Sequence, residues 1–538
     1  VRISLRFILG VWAVALIAAP TPGRADEATL AEGLNTLKHS NFQIKAAAVR
    51  QIADSGEARA RLILSALLDG RLHVRRSDDS VVWTSPDGVF DAASGEEVEA
   101  DSSDLKRIVI NNQMRGDLRG TLARLSLSDL DPTTRKAAAE ALFETLTPET
   151  LPLLREALGT EPDRRVREAL ATAVALADLQ EADAARRQAA VDVLAGSTYA
   201  EVRNRLVVLL ETDADGVPRE SDSTVREAAA AAVSQIDRMR AWYGFIETAF
   251  FGLSLGLVLV LAATGLAITF GVMGVINMAH GEMMMLGAYT TWVVQQMFPN
   301  HIELSLFAAI PAAFLVAAIA GIVIERGVVR FLYGRPLETL LATFGVSLVL
   351  QQAARTIFTP LNRAVATPEW MSGQWVINGA LAFTYNRLYI IIFSLIVFLT
   401  LVAILRFSTL GLQVRAVAQN RAMARAMGVR AGWIDALTFG LGSGVAGLAG
   451  VALSQLTNVG PNLGQSHIVD SFMVVVFGGV GNLWGTLVAG LSLGMANKFL
   501  EPYAGAVLAK ILVLVFIILF IQKRPRGLFP QRGRSAEA

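Results

Sequence analysis

Cysteine is missing from all 538 residues. Disulfides, thiolate metal sites and cysteine nucleophiles are thereby excluded, and any exported part of the chain is held by its core alone. Histidine is scarce, with five copies. His39 and His73 stand isolated in the first half of the chain and suggest no ligand set. No glycine-rich loop is followed by Lys-Ser/Thr, so a phosphate-cradling nucleotide motif is also lacking. The formal net charge is only +1, which gives no electrostatic case for a nucleic-acid partner. Charged residues make up 18% of the chain and hydrophobic ones 53%. A soluble globular protein rarely reaches that balance, so part of the chain sits in lipid. The two kinds of residue are segregated: 1–240 hold most of the acidic charge, and 245–522 are mostly apolar.

The first residues read as an address. Arg2 and Arg6 precede an apolar run from Phe7 to Ala19, Pro20, Pro22 and Gly23 end it, and Ala25 is followed by Asp26 and Glu27. That order of basic, apolar and small residues predicts a secretory signal peptide over 1–25. An uncleaved anchor is the alternative, and either way the following domain leaves the cytoplasm.

Residues 26–240 are expected to form an exported α-helical domain. From about residue 131 one pattern recurs: a turn with an acidic residue or Pro, a helix start, an Arg, then an Ala-rich stripe. Asp131-Pro132 to Arg135, Asp163 to Arg167, Tyr199 to Arg203 and Asp222 to Arg226 are copies, with Arg187 a weaker one. Asp131 is placed to cap a helix whose first position is Pro132. The pattern resembles HEAT-type repeats, two-helix units that stack into a solenoid and present a docking face. Val81 to Trp83, Pro86-Asp87-Gly88, then Val89 and Phe90 read as a small β-hairpin inserted among the helices.

Residues 241–530 are expected to form a polytopic transmembrane bundle. Apolar segments run roughly 245–270, 275–298, 304–325, 337–358, 388–405, 433–455, 467–481, 483–500 and 506–522. Basic residues cluster at Arg326 to Arg335, at Arg406 to Arg430 and in the tail from Lys523, and by the positive-inside tendency all three are cytoplasmic. With the N-terminal domain outside, nine crossings satisfy every charge constraint. A re-entrant pair replacing two crossings satisfies them as well. Some segments are near the minimum length for a span, and about eight to nine spans are expected, some of them broken or re-entrant.

Three motifs carry the chemistry. The first runs from Gly265 through Thr269 and Asn277 to His280-Gly281-Glu282. A charge in mid-bilayer is costly, so Glu282 faces protein or water. Broken helices in transporters expose backbone groups to a polar solute, and Gly271 to Gly274 looks like such a break. Contact between neighbouring helices is the plainer reading of the same residues. The second, Arg415 to Val429, is rich in helix formers and ends at Gly428. It predicts an amphipathic helix with Val417, Met423 and Met427 on its apolar side and Arg421 and Arg425 on a basic side. The third is Phe477-Gly478-Gly479-Val480-Gly481-Asn482-Leu483-Trp484-Gly485, a glycine-rich break between apolar segments. Asn462 and Asp470 are further polar residues near expected breaks.

In this order the three motifs, with the basic tail Arg524-Pro525-Arg526-Gly527-Leu528-Phe529-Pro530, resemble the permeases of the branched-chain amino acid ABC importer family over about 245–530. An exported domain ahead of such a permease resembles the urea-importer branch. The resemblance implies a second permease subunit, cytoplasmic ATPase subunits, a periplasmic solute-binding protein and a bacterial inner-membrane location, with no cofactor. Thr269, Asn277, His280, Gly281, Glu282, Asn462, Asp470 and Asn482 are the residues expected along the path. The resemblance puts Arg415, Gln419, Asn420, Arg421, Ala424, Arg425 and Gly428 in the ATPase-coupling helix. Gln419-Asn420 stands where the commonest coupling motif carries Glu. Branched-chain amino acids or small amides are alternative solutes, because Glu282 and Asp470 would suit an ammonium group. A passive channel is the rival from another class. An enzyme is disfavoured, since too few donors accompany His280, Glu282 and Asp470 for a metal site.

Overall fold

The computed structural model describes residues 23–85, 88–101, 104–146, 150–213 and 216–530. The apolar run Phe7 to Ala19 lies outside them, and Ala25 falls within the first helix. The chain divides into two compact units, 1–238 and 239–538.

The first unit opens with α1 (Gly23–Leu37), α2 (Phe42–Asp54) and α3 (Ala58–Leu68). Strands β1 (Leu72–Arg75), β2 (Val81–Ser85), β3 (Gly88–Asp91) and β4 (Leu105–Arg107) follow. They form one antiparallel sheet in the order β3-β2-β1-β4. The expected hairpin is β2–β3, with Trp83 opposite Phe90 and their rings stacked 5.5 Å apart. The other two strands lie outside the sequence expectation, because Leu72–Arg75 and Leu105–Arg107 are too short and polar to show alternation.

Next come α4 (Asn112–Ser126), α5 (Pro132–Ala141), α6 (Leu151–Thr160), α7 (Arg164–Asp178), α8 (Ala184–Leu194) and α9 (Ala200–Leu210). One device recurs here. Asp131, Asp163, Asp183 and Asp222 each cap a helix through side-chain acceptance of backbone N–H groups. An Arg four positions on turns back to the carbonyls before the cap: Arg135 to Asp129 and Leu130, Arg167 to Glu161 and Pro162, Arg187 to Glu181 and Ala182, Arg226 to Glu220 and Ser221. Two of these arginines also fork onto a buried carboxylate from a later repeat. Arg135 meets Glu161 with both contacts at 2.8 Å, and Arg187 meets Glu220 at 2.8 and 2.7 Å. The guanidinium beside each carboxyl holds it below the usual carboxylate range. Arg187 is therefore a full copy of the pattern, not a weaker one. Arg203 is the exception: Tyr199 supplies no side-chain cap, and Arg203 pairs with Asp237 instead.

Helix α10 (Ser223–Met273) has 51 residues, begins in the first unit and continues into the second. The second unit then holds α11 (His280–Met297), α12 (Ile302–Gly327), α13 (Pro336–Phe358), a hairpin β5 (Gln374–Asn378) and β6 (Leu381–Thr384), α14 (Tyr385–Phe407), α15 (Thr409–Gln419), α16 (Arg421–Ala426), α17 (Ala431–Ser454), α18 (Leu463–Gly478) and α19 (Leu483–Lys523). Among the described residues six helices are long and apolar enough to cross a membrane: α10, α12, α13, α14, α17 and α19. Helix α18 is apolar but has only 16 residues. The last two expected segments are the halves of α19, divided at Gly505, whose φ is +76°. Six by length and composition is thus fewer than the eight or nine expected from sequence.

Backbones come close where glycines meet. Gly287 of α11 lies against the Gly447 backbone of α17, and Gly450 lies against Met284 and Ala288. At one end of the unit Gln295 exchanges two hydrogen bonds with the Ala366 backbone, and Arg363 pairs with Val459. At the other end Val272 packs with Val414, Val417 and Ala431, and the Arg326 guanidinium lies 4.5 Å from the Trp433 ring.

Candidate functional site

The connection between α10 and α11 breaks inside the protein. Gly274 adopts φ +66°, a left-handed conformation suited to glycine, and ends the helical run. Asn277 is fully buried and its Oδ1 accepts the Ala279 N–H at 3.0 Å, while its Nδ2 has no partner. His280 and Glu282 then diverge because they lie two positions apart at the start of α11. His280 Nε2 sits 2.7 Å from the Ala262 carbonyl of α10, leaving Nδ1 unpartnered. Glu282 turns to α13, where Ser347 Oγ and Gln351 Nε2 both donate to its Oε1 at 2.9 Å. Its Oε2 is buried with no partner. Beside Glu282, Gly281 lets α11 approach α18, since its backbone lies against Gly464.

Helix α13 supplies what the sequence reading missed. Thr339, Thr343, Ser347, Gln351 and Arg355 recur at every fourth position and so form one line along the helix. The first four are buried. Thr343 Oγ1 accepts the Met278 N–H at 3.1 Å, so the line faces the broken segment as well as Glu282. It ends where Arg355 donates to Asn462 Oδ1 at 2.8 Å. The signal was legible as a strict polar period inside an otherwise apolar segment.

Of the residues expected along the path, Glu282 and Asn462 bond to α13, Gly281 packs on Gly464 of α18, Asn277 bonds locally to Ala279, and His280 faces α10. Three are engaged elsewhere. Thr269 back-bonds to the carbonyls of Gly265 and Leu266 within its own helix. Asp470 pairs with Lys510 at 3.0 Å. Asn482 caps α19 by accepting the Gly485 N–H. A short polar side chain in apolar surroundings satisfies itself locally where it can, as Thr269 and Asn482 do, whereas Asp470 finds its partner on α19. Among the described residues no group of three or more His, Asp or Glu side chains is gathered as a metal would need.

The segment expected as one amphipathic helix is two. Asn420 is extended, with φ −154°, and accepts the Met423 N–H at 2.9 Å, so it ends α15 and caps α16. Val414, Val417 and Ala424 pack inward with Ala431 and Ile434. Met423 and Met427 do not: they are 59% and 78% exposed. Gln419 and Arg425 are exposed, and Arg415 donates to the Leu405 carbonyl. Arg421 is no free basic residue, because it forks onto the fully buried Asp435. Gly428 ends the turn at φ +86°.

Comparison with known proteins gives the context for these features. Residues 110–175 match the HEAT-repeat model, and residues 248–521 match that of the branched-chain amino acid transport system / permease component. The high-affinity branched-chain amino acid transport system permease protein LivH of Escherichia coli (strain K12) is 30% identical over 294 residues, 53% of this chain and 95% of the relative. BraD of Pseudomonas aeruginosa, with the same description, is 29% identical over 53% of this chain and 96% of its own. The ribose import permease protein RbsC of Escherichia coli (strain K12) is 25% identical over 40% and 68% respectively. The membrane half thus covers nearly the full length of LivH and BraD, and the chain belongs to the family of permease components of branched-chain amino acid-type ABC transporters.

Proposed function

We propose that this permease forms the path for urea in an ATP-driven importer of the bacterial inner membrane. The observation that carries a small polar solute is the α13 line, which meets the backbone of the broken segment at Ile276 and Met278 and the Glu282 carboxylate, with Asn277 Nδ2 and Glu282 Oε2 left unpartnered. A buried polar group without a partner costs several kcal/mol. A compact solute with both N–H donors and a carbonyl offsets that cost while it passes. Urea in particular rests on the resemblance of an exported domain followed by such a permease to the urea-importer branch. A second reading, a branched-chain amino acid, is favoured by one observation: Glu282 and Arg355 both touch Gln351, so ammonium and carboxylate would each find an opposite charge. The printed names of LivH and BraD point the same way.

The ATPase subunits dock on 419–428, and a second permease and a periplasmic binding protein complete the importer. Exposed Met423 and Met427 supply an adaptable apolar contact for the ATPase. Residues 26–240 lie on the periplasmic side, and nine crossings follow from counting both halves of α19, α11 and α18. The end bearing Arg326 and the 406–430 cluster faces the cytoplasm. This topology has a direct check, because the chain has no cysteine of its own. In intact spheroplasts a membrane-impermeant maleimide is expected to label R164C and to spare M427C. Labelling of M427C from outside would reverse the orientation.

The solute is tested by uptake at low concentration, where passive urea leak is small. Cells lacking the gene are expected to lose uptake of labelled urea and to keep that of labelled leucine. Loss of leucine uptake with urea unaffected would replace the urea reading with the second.

A further inference from the structure

The cytoplasmic end of the second unit holds an ionic cluster that the solute path does not use. Arg421, in the first turn of α16, forks onto Asp435 in the second turn of α17; one arm, Nη1 to Oδ1, measures 3.2 Å. The face of the same guanidinium lies 4.7 Å from the Tyr333 ring. Tyr333 in turn donates its hydroxyl to Glu325 Oε1 at 2.9 Å. Glu325, near the end of α12, is 1% exposed, and its Oε2 lies 3.6 Å from Arg326 Nε. Arg326 closes the circuit back to α17 by stacking on Trp433. Two buried carboxylates, one tyrosine and two arginines thus tie α16 to both α12 and α17.

The remaining inward contacts of α16 are slight. Ala424 is its one buried side chain, and Met423, Arg425 and Ala426 point to solvent. Helix α17 is the opposite case. It is buried along nearly its whole length and packs glycine to backbone against α11, which carries Glu282. An aspartate buried there without its arginine would be an uncompensated charge, so the fork cannot be loosened while the two helices move apart.

We propose that the Arg421–Asp435 ion pair, framed by Tyr333 and Glu325, is the link that carries displacement of α16 into α17. Arg421 and Asp435 are positioning residues: neither touches the solute. The inference rests on the reading of 419–428 as the ATPase docking surface. Packed elements transmit a push when they have a contact that holds in both arrangements, and a planar two-armed fork between fully specified partners is such a contact.

The test uses the assembled importer in lipid nanodiscs and proteoliposomes, with urea-loaded binding protein as the probe. R421K keeps the charge and loses both the fork and the ring stacking. D435N, Y333F and the R421K/D435N pair complete the set. The ATPase is expected to remain bound in every variant. Urea moved per ATP hydrolysed is expected to fall about tenfold in R421K and in D435N, a typical size for the coupling between two sites. The double variant is expected to fall no further than the worse single one, as for two groups that act through their mutual contact. Y333F, which removes one hydroxyl, is expected to shift the same ratio by less and keeps the test decisive should D435N fail to assemble. Wild-type transport per ATP in both R421K and Y333F would overturn the proposal. Docking is read separately: M423D/M427D is expected to release the ATPase, and its retention there would count against the docking surface, not against the link.

Discussion

Replacing Gly287 with valine is expected to leave almost no assembled protein in the membrane. The α11–α17 contact is made by backbone against backbone, and a Cβ at Gly287 would overlap the carbonyl, carbon and Cα of Gly447. Those atoms have no rotamer to change, unlike the far end of a side chain. Overpacking a core that still adjusts costs typically 1–3 kcal/mol, and here two helices would have to separate, so the cost exceeds about 3 kcal/mol. That is a large part of the roughly 5–15 kcal/mol by which a folded domain is stable. Gly345 of α13 is the control, because a Cβ there meets nothing within 4 Å. G345V is expected to accumulate and elute like the wild type, and G287V is expected to be lost or aggregated. Size-exclusion profiles of the detergent-solubilised protein make the comparison. Equal monodisperse peaks for the two variants would contradict the packing described for α11 and α17.

Much of this organisation is legible in the sequence, and the parts that are not have physical reasons. A charge inside an apolar run is conspicuous, so Glu282 stood out before its partners were known. Its partners did not, because Ser347 and Gln351 are neutral and sit in a segment whose apolar average hides a four-residue period. Asp435 was hidden differently: it follows the basic run ending at Arg430 and reads as the ordinary start of a span. The break at Asn420 is invisible to helix propensity, since helix formers stand on both sides. What breaks the helix is the Asn side chain capping Met423, a contact that depends on local backbone geometry. Thr269, Asp470 and Asn482 are the converse case. Polarity in apolar surroundings marked them as path residues, and the structure gives each a partner within the protein. In the first unit the spacing of Asp and Arg gave the repeat. Arg135 and Arg187 carry its most complete form with Glu161 and Glu220, partners that lie later in the chain and beyond the reach of a local pattern.

Substituting Glu282 with leucine is expected to abolish solute movement while leaving the permease assembled. The replacement removes the acceptor shared by Ser347 and Gln351 and the free Oε2 at the α11–α13 interface. Ser347 back-bonding to its own helix and the existing Gln351–Arg355 contact give the remaining polar groups other partners, so the fold survives. A site built to hydrogen-bond a solute discriminates by factors of about 10⁴ against the unpaired state, so a fall of at least about a hundredfold is expected. The assay is uptake of labelled urea into proteoliposomes holding the complete importer, with ATP enclosed on the ATPase side and the urea-loaded binding protein outside. Wild-type vesicles are expected to accumulate urea above the external concentration only with ATP present, and E282L vesicles are expected to show the passive leak alone. Urea entry that is equal with and without ATP and never exceeds the external level would contradict the account.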